Sequence, residues 1–244
     1  MNNLSKSEEL LYQIMGAISK SRLPVVFKGA MVLKLAKSDS NIVRETLDID
    51  CDWINSAPSS KEIENKLNEA VQKELPNISF KLLRDYGQGK SAGFNIYQDN
   101  LKISSMDISV RPLSPSKEYY IGEIEFVGYE LSNIVADKIS VVSSDKIFRR
   151  IKDFIDLYSI CFGDDIDIDE IYRIVKEKNR EIGNFNALFN RKSEIEHAYD
   201  ELRRIEPKPD FEYVYKTIIA YCIAFKNKEK NLKWNHELLK WQQK

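Results

Sequence analysis

Cysteine and histidine are scarce in this chain, with three of the first and two of the second among 244 residues. Cys51, Cys161 and Cys222 each sit among apolar neighbours, at no spacing that suits a metal. That fits reduced, buried thiols of a cytoplasmic protein and argues against a cysteine-held metal centre. His197 and His236 have no neighbours that would make either a ligand or a base, so both read as surface residues. No apolar run is long enough to span a bilayer, which leaves the membrane out as a partner. The opening residues MNNLSKSEEL are polar and acidic, so no secretory leader is expected. An excess of either charge is also missing: 37 basic against 38 acidic side chains, net −1. That argues against bulk electrostatic attraction to nucleic acid and says nothing of local patches. There is no internal repeat and no low-complexity tract. What remains is an ordinary globular composition, 43% apolar and 31% charged, in a length that makes one large domain or two small ones.

The stretch that organises the rest is Phe27–Asp52, FKGAMVLKLAKSDSNIVRETLDIDCD. Val25-Val26-Phe27 reads as a strand, Lys28-Gly29-Ala30 as a turn, and Met31–Ala36 as an apolar helix. Glycine lets backbone approach a phosphate closely, and the N–H groups of a helix start favour an anion. Leu47-Asp48-Ile49-Asp50-Cys51 alternates as a strand does, with Asp48 and Asp50 on one face and the apolar residues on the other. Two carboxylates about 7 Å apart along a strand face suit a hard cation such as Mg²⁺.

Acid-x-acid pairs alone are weak evidence, since a chain this acidic produces about six by chance. Asp50/Asp52, Glu62/Glu64 and Asp165/Asp167 fit as well. Asp48 and Asp50 differ in having apolar flanks and an upstream strand–glycine–helix. A third acid, Asp107, lies inside the strand Lys102–Val110 between Met106 and Ile108. A carboxylate in such surroundings needs a partner or a metal.

Gly29-Ala30, then Asp48-x-Asp50, then a lone Asp107 on a later strand resembles the DNA-polymerase-β-type nucleotidyltransferase superfamily. Ala136-Asp137-Lys138-Ile139, followed by Arg150-Ile151-Lys152-Asp153-Phe154-Ile155-Asp156-Leu157, looks like the AbiEii/AbiGii-type nucleotidyltransferase toxins of abortive-infection and toxin–antitoxin systems. The resemblance spans roughly Val25–Leu157. It implies one or two Mg²⁺ ions on Asp48, Asp50 and Asp107, and an NTP whose phosphates are met by Gly29, Ala30 and Lys138. Asp153 would orient that lysine or contact the nucleotide, with Lys28 and Arg150 as further phosphate or acceptor contacts. It also implies an RNA acceptor such as a tRNA 3′ end, and a cognate antitoxin. The family usually carries Gly-Gly or Gly-Ser where this chain has Gly29-Ala30, which removes one hydroxyl from the phosphate site.

The remaining pattern predicts an α+β protein: a polymerase-β-like mixed sheet with flanking helices in residues 1–129, then a helical domain in 130–244. Leu10–Ser21 is amphipathic. Lys37–Thr46 is polar and reads as a loop. Ser59-Ser60-Lys61-Glu62 fits a capping box. Alternation predicts strands around Ile78–Leu82, Phe94–Ile96, Lys102–Val110 and Ile121–Val127, the first two joined through Gly87–Gly93. Helices follow at Leu131–Val142 and Ile147–Tyr158. Asp164–Asp169 reads as an acidic cap for a helix over Ile171–Lys178, and further helices are expected at Ala187–Ile205, Phe211–Phe225 and Leu232–Gln242. Lys226–Lys244 interleaves lysines with Trp234 and Trp241, a pattern that either grips nucleic acid or packs a terminal helix. Two other functional classes stay open: a nucleotidyltransferase acting on a small hydroxylated molecule, and a binding module that has lost catalysis.

Overall fold

A computed structural model describes residues 4–37, 43–85, 87 and 90–244. In chain order the elements begin with α1 (Lys6–Lys20), β1 (Val25–Lys28), α2 (Gly29–Ala36), β2 (Val43–Arg44), β3 (Asp48–Ile54) and α3 (Ser60–Gln72). Then come β4 (Ile78–Asp85), β5 (Ser91–Gln98), β6 (Leu101–Arg111), β7 (Ser116–Ile121) and β8 (Ile124–Tyr129). The second half has α4 (Leu131–Val142), a 3-10 turn (Ile147–Arg150), α5 (Ile151–Cys161), β9 (Ile166–Asp167), α6 (Ile168–Glu177), α7 (Asn186–Asn190) and α8 (Lys192–Asp200). It closes with β10 (Ile205–Glu206), α9 (Phe211–Lys226), β11 (Leu232–Asn235) and β12 (Lys240–Gln243). The chain divides into two compact units, Met1–Leu35 with Thr46–Glu130, and Ala36–Glu45 with Leu131–Lys244.

The first unit is built on a seven-stranded sheet in the order β4-β5-β6-β3-β1-β8-β7. β3 runs parallel to β6 and antiparallel to β1, while β1 runs parallel to β8. The period of two sorts the side chains. Ile49, Cys51, Trp53, Phe94, Ile96, Met106 and Ile108 are buried on one face, and Tyr12 of α1 stacks on Phe126 there. α3 starts at the expected capping box, with Ser59 and Glu62 bonding reciprocally. It also blunts the exposed edge of the sheet, because Asn68 and Glu64 accept from the backbone N–H groups of Phe80 and Leu82 on β4.

The expected Ile121–Val127 strand is instead the end of β7, a tight turn and the start of β8. Gly122, at φ +58°, lets the chain reverse there. Residues 38–42 of the expected Lys37–Thr46 loop lie outside the described residues, as do 86, 88 and 89 of the β4–β5 connection. Val43 and Arg44 form a strand that pairs with β10.

The second unit departs from an all-helical reading at its end. Leu232–Gln242 is a β-hairpin that adds to β9 in a three-stranded sheet. Leu232 and Trp234 are buried, Lys233 is exposed and Asn235 half-buried, which is strand alternation. The turn is held by the Asn235 side chain, which accepts from the N–H of Leu238, and by Leu239 at φ +48°. Ala187–Ile205 is likewise divided into α7, α8 and β10. The expected acidic cap is present: Asp167 accepts from the N–H groups of Asp169 and Glu170 at the start of α6.

Candidate active site

The face of the sheet opposite the apolar core carries the acids. In the β3–β6 register Asp48 lies beside Ser105, Asp50 beside Asp107 and Asp52 beside Ser109. Neighbouring residues in register point to the same side, so Asp48, Asp50 and Asp107 share one surface. Across β1, Lys28 is the partner of Asp50. The chain then enters α2 through Gly29 at φ +73°, a conformation that a side chain would strain. A Cβ added to Gly29 would stand less than 3.0 Å from the Asp50 carboxylate. Glycine at 29 is therefore what allows the helix start and the second acid to meet.

This corner is fixed from behind. Tyr12 donates to the carbonyl of Met31 at 2.9 Å, holding α2. Glu8 pairs with Lys34 of α2 and accepts from the N–H of Thr46, just ahead of β3. One buried carboxylate on α1 thus ties together both pieces of the Phe27–Asp52 stretch.

The acids also have protein partners. Ser105 donates to Asp48 at 2.7 Å, and Arg84 comes to 3.4 Å from Asp107. Lys28 pairs with Asp52, whose buried carboxylate also accepts from the Tyr129 hydroxyl at 2.8 Å. Lys28 is therefore committed within the sheet, to an acid that by sequence spacing belongs only with the chance pairs. Among the described residues, no three of His, Cys, Asp and Glu are drawn together as a ready metal cage. The donor set is nevertheless all carboxylate oxygen on one surface, which is what a hard divalent cation takes.

In the second unit Lys138 is buried, and its ammonium donates to Asp156 at 2.8 Å and Asp153 at 3.1 Å. Arg44 makes a bidentate pair with Asp156, and the more exposed Arg150 donates to Asp153. Burial opposes the charge on both aspartates. The ammonium of Lys138 outweighs it, aided by Arg150 at Asp153 and by Arg44 at Asp156, and both carboxyls sit below their ordinary pKa. Burial also works against the charge on Lys138, and Asp156 and Asp153 reverse that, raising its pKa. Sequence reasoning singled out Lys138, Arg150 and Asp153 but missed Arg44 and Asp156. The available signal for Asp156 was its place between apolar residues on the buried side of α5; Arg44 gave none.

Trp234 is buried and not open for stacking on a base, and Trp241 is half-buried against it. They face each other across the hairpin with ring centroids 5.5 Å apart. Their indole N–H groups donate to the carbonyls of Cys161 and Tyr221. His197 is exposed, and His236 bonds Asp165 at the surface.

A profile of the AbiEii nucleotidyl transferase toxins, type IV toxin–antitoxin system, matches residues 10–234. The chain belongs to the AbiEii family. It is a nucleotidyltransferase, and its membership makes it the toxin half of a toxin–antitoxin pair with a nucleotide as substrate. Solved structures share the fold. MenT4, a nucleotidyltransferase toxin from Mycobacterium tuberculosis, superposes with a TM-score of 0.60 at 18% identity, covering 91% of this chain and 85% of that one. A structure assigned to the nucleotidyltransferases from H. pylori gives 0.58 at 15% identity, covering 92% of this chain and 97% of that one. A search of curated proteins finds no significant match. No described helix of this AbiEii protein is long and apolar enough to cross a membrane.

Proposed function

We propose that this AbiEii protein transfers a nucleoside monophosphate from an NTP to the hydroxyl of an RNA end, with a tRNA 3′ end as the favoured acceptor. The observation that carries this reading is the pairing of Asp50 with Asp107 beside the positive-φ Gly29. Asp48, Asp50 and Asp107 would hold Mg²⁺, which when bound supplies charge neutralisation at the phosphates and an activated nucleophile. The backbone at Gly29 and Ala30 would cradle phosphate oxygens at the start of α2. Asp107, with half its side chain exposed, would be open to an approaching hydroxyl as the acceptor of its proton.

Lys138, Asp153 and Arg150 enter the proposal as nucleotide contacts through family resemblance. Supporting this, Lys138 and Arg150 converge on Asp153, which brings two cationic side chains to one carboxylate at the start of α5. The RNA acceptor rests on the toxin family rather than on the C-terminal tryptophans, which serve the core.

The deciding experiment supplies each labelled NTP with Mg²⁺ to total tRNA and, in parallel, to small hydroxylated acceptors. Label on tRNA with wild type and none with Asp50→Ala is the expected result. Label on the small acceptors alone refutes the RNA reading, and no label on either, by a protein that fails to bind NTP in calorimetry, refutes transfer.

A further inference from the structure

The polar face of the sheet continues past Asp107. β5 places Gly93 beside Asp107, and β4 places Arg84 beside Gly93. The β4–β5 register shifts between Leu82 and Arg84, and a bulge of this kind re-aims a side chain. Arg84 passes over Gly93 to reach Oδ1 of Asp107. A Cβ at position 93 would stand 2.9 Å from that oxygen, 3.0 Å from Nε of Arg84 and 3.1 Å from its Cγ. Bulge and glycine thus make the same approach possible from two strands. The pair is open to water, with Arg84 53% and Asp107 49% exposed. An ion pair in that setting is weak and is given up cheaply.

We propose that Arg84 is a positioning residue for the third carboxylate, a resident cation that keeps Asp107 turned toward β4 until a divalent ion takes its place. The inference rests on the metal reading of Asp48, Asp50 and Asp107 given above. An arginine and a divalent ion compete for the same carboxylate oxygens, and arginine keeps its charge at every working pH, so the competition is permanent. Arg84 then sets how readily Asp107 joins the two acids of β3.

The test is Mn²⁺ binding in the absence of nucleotide, read by electron paramagnetic resonance, on wild type, Arg84→Ala, Asp107→Ala, the double variant and Asp50→Ala. Circular dichroism confirms that each is folded. Arg84→Ala should bind Mn²⁺ about two- to five-fold more tightly. The gain should vanish when Asp107 is already alanine, because a contact that acts through Asp107 cannot operate without it. Affinity unchanged or weakened in Arg84→Ala overturns the proposal. So does an equal gain in the Asp107→Ala background, which marks a general charge effect. Mn²⁺ binding that is absent in wild type, or that Asp50→Ala leaves intact, removes the metal site itself and this inference with it. Binding lost in Asp50→Ala but indifferent to Arg84 removes only the role of Arg84.

Discussion

Gly29 and Asp50 constrain each other, and each predicts a different failure. Gly29→Ala forces a side chain into a left-handed backbone, at about 1–2 kcal/mol, and pushes it against the Asp50 carboxylate. The expected outcome is a modest fall in thermal midpoint with a large loss of transfer, measured on one preparation. Asp50→Ala removes the carboxylate without touching the apolar face. Transfer should drop about 10³-fold or more while the melting curve stays close to wild type. Asp156 behaves in the opposite way. Removing one member of a buried charge network strands the others, so Asp156→Ala should cost about 3–5 kcal/mol in urea unfolding. The pH dependence follows from the directions of the shifts. Asp153 and Asp156 have depressed pKa values in the folded protein. Their contribution is complete above the unfolded carboxyl value and is lost as pH falls below about 4. Lys138 is raised, so its share is complete below its unfolded value and is lost only as pH climbs beyond about 10. A stability profile flat between those limits, with an acid limb that Asp156→Asn makes shallower, is the expected measurement.

At the scale of elements, the C-terminal hairpin shows why pattern reading succeeded in one half and failed in another. Leu232, Leu238, Leu239 and Trp241 recur at spacings that also fit a helix. The competing signal was short: Leu232 and Trp234 alternating on β11, Trp241 alone on β12, and an asparagine-led turn. What decides is the dry space waiting beside Tyr221 and Phe225, which no local pattern reports. Trp234 is wholly buried and Trp241 only half. Trp234→Ala should therefore cost about 3–5 kcal/mol, and Trp241→Ala less, by denaturant titration. β3 and the middle of β6 were legible for the opposite reason, since polar and apolar residues alternate from Asp48 to Trp53 and from Ser105 to Ser109. Their alignment was not: that Asp107 falls opposite Asp50 is a matter of register, and one chain read alone carries no record of its neighbour. Arg84 escaped notice similarly, because a bulge and a glycine on the adjoining strand aim it.

For the whole molecule, the acids lie on the side of the sheet away from its hydrophobic core. Metal is thus expected to serve the reaction and not the fold. Chelation with EDTA should stop transfer, added Mg²⁺ should restore it, and the thermal midpoint should move little in either direction. The three tryptophans are divided between the compact units, Trp53 in the first and the Trp234–Trp241 pair in the second. Intrinsic fluorescence is consequently a pair of independent reporters. A Trp53→Phe protein emits from the second unit alone, so its emission midpoint, set against that of the parent, reveals whether the halves come apart in one cooperative event or in turn.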